Sequence, residues 1–247
     1  MKKRNIIITC LTLFFIVLTV IILVLINNDD GKNVNIEKAD SQILYLNNEI
    51  ISTTNELNLI SNFDTNNIFR DNSNINWDTI EINIAKLYSD WSTIIITLNN
   101  LNIDNTQLTN FGKKLDLITV SVKNQNKADT FQGLCDIYYL LTIYLNSYNS
   151  NEELKNNINT KYYLLKGSSL IDTNNWTLIY ENIVNAGKTY YSNINSIYYN
   201  IDEYSQFNRN QNYVLIKELE NIIITKDIDL FYFKYNLIMQ KLQFDFK

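Results

Sequence analysis

The sequence predicts an all-α protein: an N-terminal transmembrane helix followed by an antiparallel helical bundle or helical-hairpin ectodomain of about eight helices. Three observations carry that expectation. Residues 5–26 form a largely apolar run without charge, Gly or Pro. Beyond residue 38 the apolar residues recur at alternating steps of three and four, the period of one helix face. The 247 residues contain no Pro, so the strongest helix breaker is absent throughout.

Asn5–Ile26 spans roughly 33 Å as a helix, enough for a hydrocarbon core of about 30 Å. Lys2, Lys3 and Arg4 precede it and Asn27-Asn28-Asp29-Asp30 follow. The excess of cations on one side predicts a single-pass cell-membrane protein with residues 1–4 cytoplasmic and the remainder extracellular. A cleaved signal peptide would have a shorter apolar region and a small-residue cleavage site, and residues 24–32 hold no such site. Residues 27–38 read as a polar linker and 39–247 as the extracytoplasmic domain, divisible into a four-helix bundle at 39–149 and helical hairpins at 150–247. With the three N-terminal cations set aside, 18 of the 21 basic residues remain against 26 acidic ones, a net charge of −8. That balance argues against a nucleic-acid partner.

The first stripe is Ile43, Leu46, Ile50, Leu57 and Ile60, with Thr53 filling one seam position. Asn62 to Asn74 interrupts it. Trp77, Ile80, Ile84, Leu87, Trp91, Ile94 and Leu98 form the second, with Asn76 as its N-cap and Asp78 and Glu81 near its positive end. A turn over 99–105 leads to Leu108, Phe111, Leu115, Ile118 and Val122. The polar turn Lys123–Lys127 leads to Phe131, Leu134, Tyr138, Leu141, Leu145 and Tyr148. Four stripes at 3.5-residue spacing, with short turns joining the last three, predict near-antiparallel packing. Ser150-x-x-Glu153 has the form of a capping box. It opens a fifth helix with Leu154, Ile158, Tyr162 and Leu165. A turn over 172–175 precedes a sixth, with Trp176, Ile179, Ile183, Ala186, Tyr190 and Ile197. Asn200 to Asn212 reads as a polar break. A last hairpin pairs Val214, Leu219 and Ile222 with Leu230, Phe233 and Leu237 across Thr225-Lys226-Asp227.

Gly167, Leu170, Trp176, Ile183 and Ala186 fall at spacings that make residues 161–191 resemble a single tetratricopeptide-like helical hairpin. In that family the position of Ala186 takes a small residue so that two helices can approach. Lys166 and Ile179 depart from the pattern, and no terminal Pro follows. More broadly, Trp77 to Trp91, Ser121-Val122-Lys123-Asn124 and Asn175-Trp176 resemble a group of single-anchor helical envelope proteins of Gram-positive bacteria. That resemblance implies topology and helical architecture, and no activity. Asn-Trp also occurs twice, at 76–77 and 175–176, each with Ile seven residues after the Trp.

Most catalytic chemistries lack their residues. There is no His, which excludes Ser-His and Cys-His nucleophile pairs, E-x-x-H metal bundles and His-ligated haem. With two Cys and no His, zinc has no ligand set, and no phosphate-binding glycine loop occurs. Cys135 reads as a small buried hydrophobe. Neither a metal nor a cofactor is expected. Carboxylate pairs need no His. Glu152 and Glu153, however, open a helix, as do Asp78 and Glu81, and Asp90 flanks a stripe.

Tyrosines cluster at 138, 139, 144 and 148 and again at 190, 191, 198 and 199. Tyr139, Tyr191 and Tyr199 fall off the stripes and are the candidate partner-binding residues, because an amphipathic ring suits an interface. The expected function is therefore a membrane-anchored, non-enzymatic interaction or scaffold module of the cell envelope, facing another envelope protein or a wall polymer. The alternative is an extracytoplasmic sensor or small-ligand domain, with its ligand between helices 2, 4 and 6. A carboxylate-dependent hydrolase using Asp90 and Glu181 comes third.

Overall fold

The computed structural model describes residues 35–58, 74–196 and 203–242, and these are helical with short connections. Eight helices occur among the described residues, and no strand. They are α1 (35–57), α2 (Trp77–Asn100), α3 (Asn105–Lys123), α4 (Lys127–Ser147), α5 (Glu152–Ser169), α6 (Trp176–Ser196), α7 (Glu203–Thr225) and α8 (Ile228–Lys241). A 3-10 turn, Ile171–Thr173, links α5 to α6. The proposed anchor at 5–26, the residues around it, the interruption after Ile60 and Ile197 lie outside the described residues. No helix among the described residues is long and apolar enough to cross a membrane. Because α1 is already helical at residue 35, the last four residues of the stretch read as linker belong to a helix.

The helices form where the period and the caps coincide. Asn76 Oδ1 accepts from Thr79 N–H at 3.1 Å and opens α2. Asn175 Oδ1 accepts from Leu178 N–H at 3.2 Å and opens α6. The two Asn-Trp pairs thus do one local job: each Asn caps, each Trp is half-buried, and Ile84 and Ile183 are both core residues. The turns after α2, α3, α5 and α7 each use a left-handed residue that is not glycine, at Asn102 (φ 59°), Gln125 (φ 52°), Asn174 (φ 54°) and Lys226 (φ 56°). Glycine serves instead where helices touch. A Cβ on Gly133 of α4 would lie 2.5 Å from Ile118 Cγ1 of α3, and one on Gly167 of α5 would lie 2.9 Å from Ile183 Cδ1 of α6.

Each helix from α2 to α8 packs on the next, and α8 also returns to α5. One hydrophobic core runs from Ala39 to Leu242, joining both halves of the chain. Trp91 stacks on Phe111 at 4.0 Å between ring centroids and on Tyr144 at 5.8 Å, which locks α2, α3 and α4 together. Apart from the half-buried Trp77 and Tyr148, the described members of the first four stripes are buried as the spacing predicts. α4 is buried well beyond its stripe: Cys135, Ile137, Leu140 and Tyr144 are core residues as well. A helix that is apolar on most sides has neighbours on most sides.

Polar bonds fasten α1 and Asn58, the residue after it, to helices far along the chain. Tyr138 of α4 donates to Asn47 Oδ1 at 2.6 Å, and Tyr232 of α8 to Asn58 Oδ1 at 3.4 Å. Asp40 accepts from Tyr148 Oη at 2.7 Å and from the Asn151 N–H at 3.0 Å. Buried polar groups need such partners, since leaving one unpaired costs roughly 1–3 kcal/mol.

Four expectations are corrected. The N-cap of α5 is Asn151, not Ser150: Asn151 Oδ1 accepts from both Glu153 and Leu154 N–H, while the Ser150 hydroxyl donates back to the Leu145 carbonyl. At the Tyr162 step of the α5 stripe the buried residue is its neighbour Lys161, fully enclosed, whereas Tyr162 is half-buried. Residues 203–212, read as part of a polar break, form the first turns of α7. They contain no Gly or Pro to stop a helix, and Arg209 pairs with Glu153 at 2.6 Å. In the last hairpin the turn stands where it was expected, with Asp227 capping α8, but the phase of the stripe differs. Phe231, Tyr232, Tyr235, Ile238 and Met239 are buried, while Leu230 and Val214 are exposed and Phe233 is half-buried.

Candidate functional site

The tyrosines singled out by the sequence divide. Tyr138 and Tyr190 are buried in the core. Tyr139, on the outer side of α4, is 47% exposed, and its ring lies 5.1 Å from that of Tyr162 on α5. Tyr162 in turn lies 5.3 Å from Tyr163. Tyr191 on α6 is 50% exposed and sits 5.1 Å from Tyr213 of α7. Tyr199 lies outside the described residues. Each described candidate is therefore a water-facing ring backed by a second tyrosine across a helix-helix seam. Backing of this kind limits the rotamers a ring must lose on docking.

The acidic candidates are mostly in structural use. Glu152 pairs with Lys155 at 2.7 Å and Glu153 with Arg209. Asp78 and Glu81 are exposed in the first turns of α2, and Glu181 is exposed on α6. Among the described residues no group of three acidic or Cys side chains converges as a metal site. Cys135 is a free, buried thiol beside the Leu165 carbonyl, and burial pushes its pKa up to about 12. In that state it is neither a nucleophile nor a ready partner for a disulfide.

Asp90 differs from the other acids. It borders a cleft of about 370 Å³ between α1 and α2, lined by Lys38, Gln42 and Tyr45 from one helix and Asp90, Thr93 and Ile94 from the other. Asp90 Oδ2 and Gln42 Oε1 are both buried there without a hydrogen-bond partner. Burial raises the Asp90 pKa, and Lys86 one turn earlier offsets this in part. Lys86 itself bonds Glu49 at 2.7 Å and lies 5.3 Å from the Tyr45 ring centroid, so it is committed elsewhere. Asp90 faces α1 across this cleft while Glu181 lies out on α6, so the two do not share one site. The cleft also opens between α1 and α2 rather than among α2, α4 and α6. Sequence reasoning placed Asp90 on the flank of its stripe but missed Gln42 and Tyr45. The one usable signal was their position beside the α1 stripe, at steps that keep them next to Ile43 and Leu46.

No known protein family, curated protein or solved structure matches the chain.

Proposed function

We propose that the chain is a membrane-anchored, extracytoplasmic interaction module of the cell envelope, non-enzymatic, whose helical domain engages another envelope protein or a wall polymer. The observation that carries this reading is the pair of tyrosine clusters, Tyr139 with Tyr162 and Tyr163, and Tyr191 with Tyr213. Half-exposed rings with polar tips, held in place by neighbouring rings, suit an interface that must stay soluble when free. The tether rests on the 22 uncharged residues Asn5–Ile26 and the cations before them. The antiparallel α5–α6 hairpin and its tetratricopeptide-like spacing add support for a binding scaffold. Against catalysis stand the absence of His and the engagement of Glu152 and Glu153 in ion pairs.

The test is site-specific photo-crosslinking in the native host. A benzophenone side chain replaces Tyr139, Tyr191 or, as the control, the exposed Val214. One discrete adduct from both tyrosine positions and none from Val214 is the expected outcome. The same adducts from all three positions, or none from either tyrosine, would remove the proposed face.

A further inference from the structure

We infer that the α1–α2 cleft is a binding site for a small organic cation that brings N–H donors, a primary ammonium or a guanidinium group. The argument begins with hydrogen-bond supply. Asp90 Oδ2 and Gln42 Oε1 are acceptors buried without a donor, at the wall of a cleft large enough for a ligand. Two nearby donors are in use. The Ser41 hydroxyl gives its hydrogen to the Glu37 carbonyl at 2.9 Å, and Lys86 is held by Glu49. An unpaired buried acceptor is costly, and a carboxylate more so, which makes the empty position selective for a charged donor.

The aromatic wall refines the class. A quaternary ammonium is recognised by open ring faces. Here the Tyr45 ring already carries the Lys86 ammonium 5.3 Å from its centroid. Recognition therefore falls to the two oxygens, which require N–H groups. Lys38, exposed at the rim, is the one lining cation. As a like charge at the entrance it opposes an incoming cation. Burial also raises the Asp90 pKa, so affinity falls in acid as the carboxyl takes up its proton. This site is separate from the tyrosine clusters, and either can exist without the other.

The ligand's cation can belong to a free amine or to a lysine or arginine side chain of a peptide. The full-length protein in a non-ionic maltoside detergent is titrated calorimetrically with agmatine, with tetramethylammonium and with a short N-acetylated lysine peptide amide. Wild type, Lys38→Ala, Asp90→Asn and, as a control on α6, Glu181→Gln are compared. Agmatine binds wild type or Lys38→Ala, tighter in the latter, with Glu181→Gln unchanged. Asp90→Asn weakens it at least tenfold, and tetramethylammonium binds at least tenfold more weakly than agmatine. A peptide that binds as well as agmatine assigns the cation to a side chain, and a weaker one assigns it to a free amine. No binding to either wild type or Lys38→Ala, or undiminished binding to Asp90→Asn, overturns the site.

Discussion

α3, of 19 residues, and α8, of 14, fare differently between sequence and structure. On α3 the five residues Leu108, Phe111, Leu115, Ile118 and Val122 are the predicted stripe and the whole buried set. On α8 the predicted stripe of Leu230, Phe233 and Leu237 flanks the buried one. The reason is contrast. α3 spaces its stripe with Lys, Asp, Asn and Thr, so only one face can go inward. α8 reads IDLFYFKYNLIMQK, with apolar residues on nearly every side. It packs against α7 and α5 and touches the end of α1 through the Tyr232–Asn58 bond. Apolar periodicity fixes a helix's rotation when there is one inner face, and loses that power when there are three neighbours.

The sharpest way to test this contrast is a pair of substitutions two residues apart. Phe231 is fully buried and stacks 6.1 Å from Tyr235, whereas Phe233 is half-buried. Phe231→Ala is expected to cost about 3–5 kcal/mol in urea unfolding, and Phe233→Ala less than about 2 kcal/mol. Equal costs would restore the sequence-derived phase. A smaller effect belongs to the α3–α4 contact. Gly133→Ala gains helix propensity of about 1 kcal/mol, yet its methyl meets the branched, buried Ile118. A net destabilisation of about 1–2 kcal/mol follows from overpacking. A higher melting temperature would mean that α3 and α4 have room to part.

The smallest effect concerns pH. Burial raises the Asp90 pKa above its usual 3.8, so the folded state disfavours the charged form. The stability attached to this group is complete below the unfolded pKa and is lost as pH rises through the folded one. Asp90→Asn is therefore expected to melt higher than wild type at pH 7, with the gap closing below about pH 4. A gap that widens in acid would show that Asp90 is ionised and stabilised in the fold.

Legibility in the sequence followed the same physics. Helix existence was readable from spacing, and the turns at 123–127, 172–175 and 225–227 from local chemistry. Ser150 misled because Ser and Asn both cap well, and the adjacent Asn151 reaches two N–H groups. The run at 203–212 misleads because polarity alone is not a stop signal: a helix ends at a breaker or a cap. The cleft was least legible. Asp90 could be placed beside Trp91, but nothing local states that residue 90 faces residue 42. That proximity is a product of α1 and α2 packing, which periodicity does not encode.

The fastening of α1 has a mechanical consequence. Its side chains are bonded to α2, to the α4–α5 turn and to α4, at Glu49, Asp40 and Asn47 respectively, and Asn58 just after it is bonded to α8. Tension applied at the N-terminus therefore does not peel an outer helix away one bond at a time. It loads several hydrogen bonds spaced along α1 together, in shear, and passes into helices from both ends of the chain. Resistance to pulling is set by the unfolding rate rather than by equilibrium stability. By this arrangement a domain held by its first helix resists force as one body.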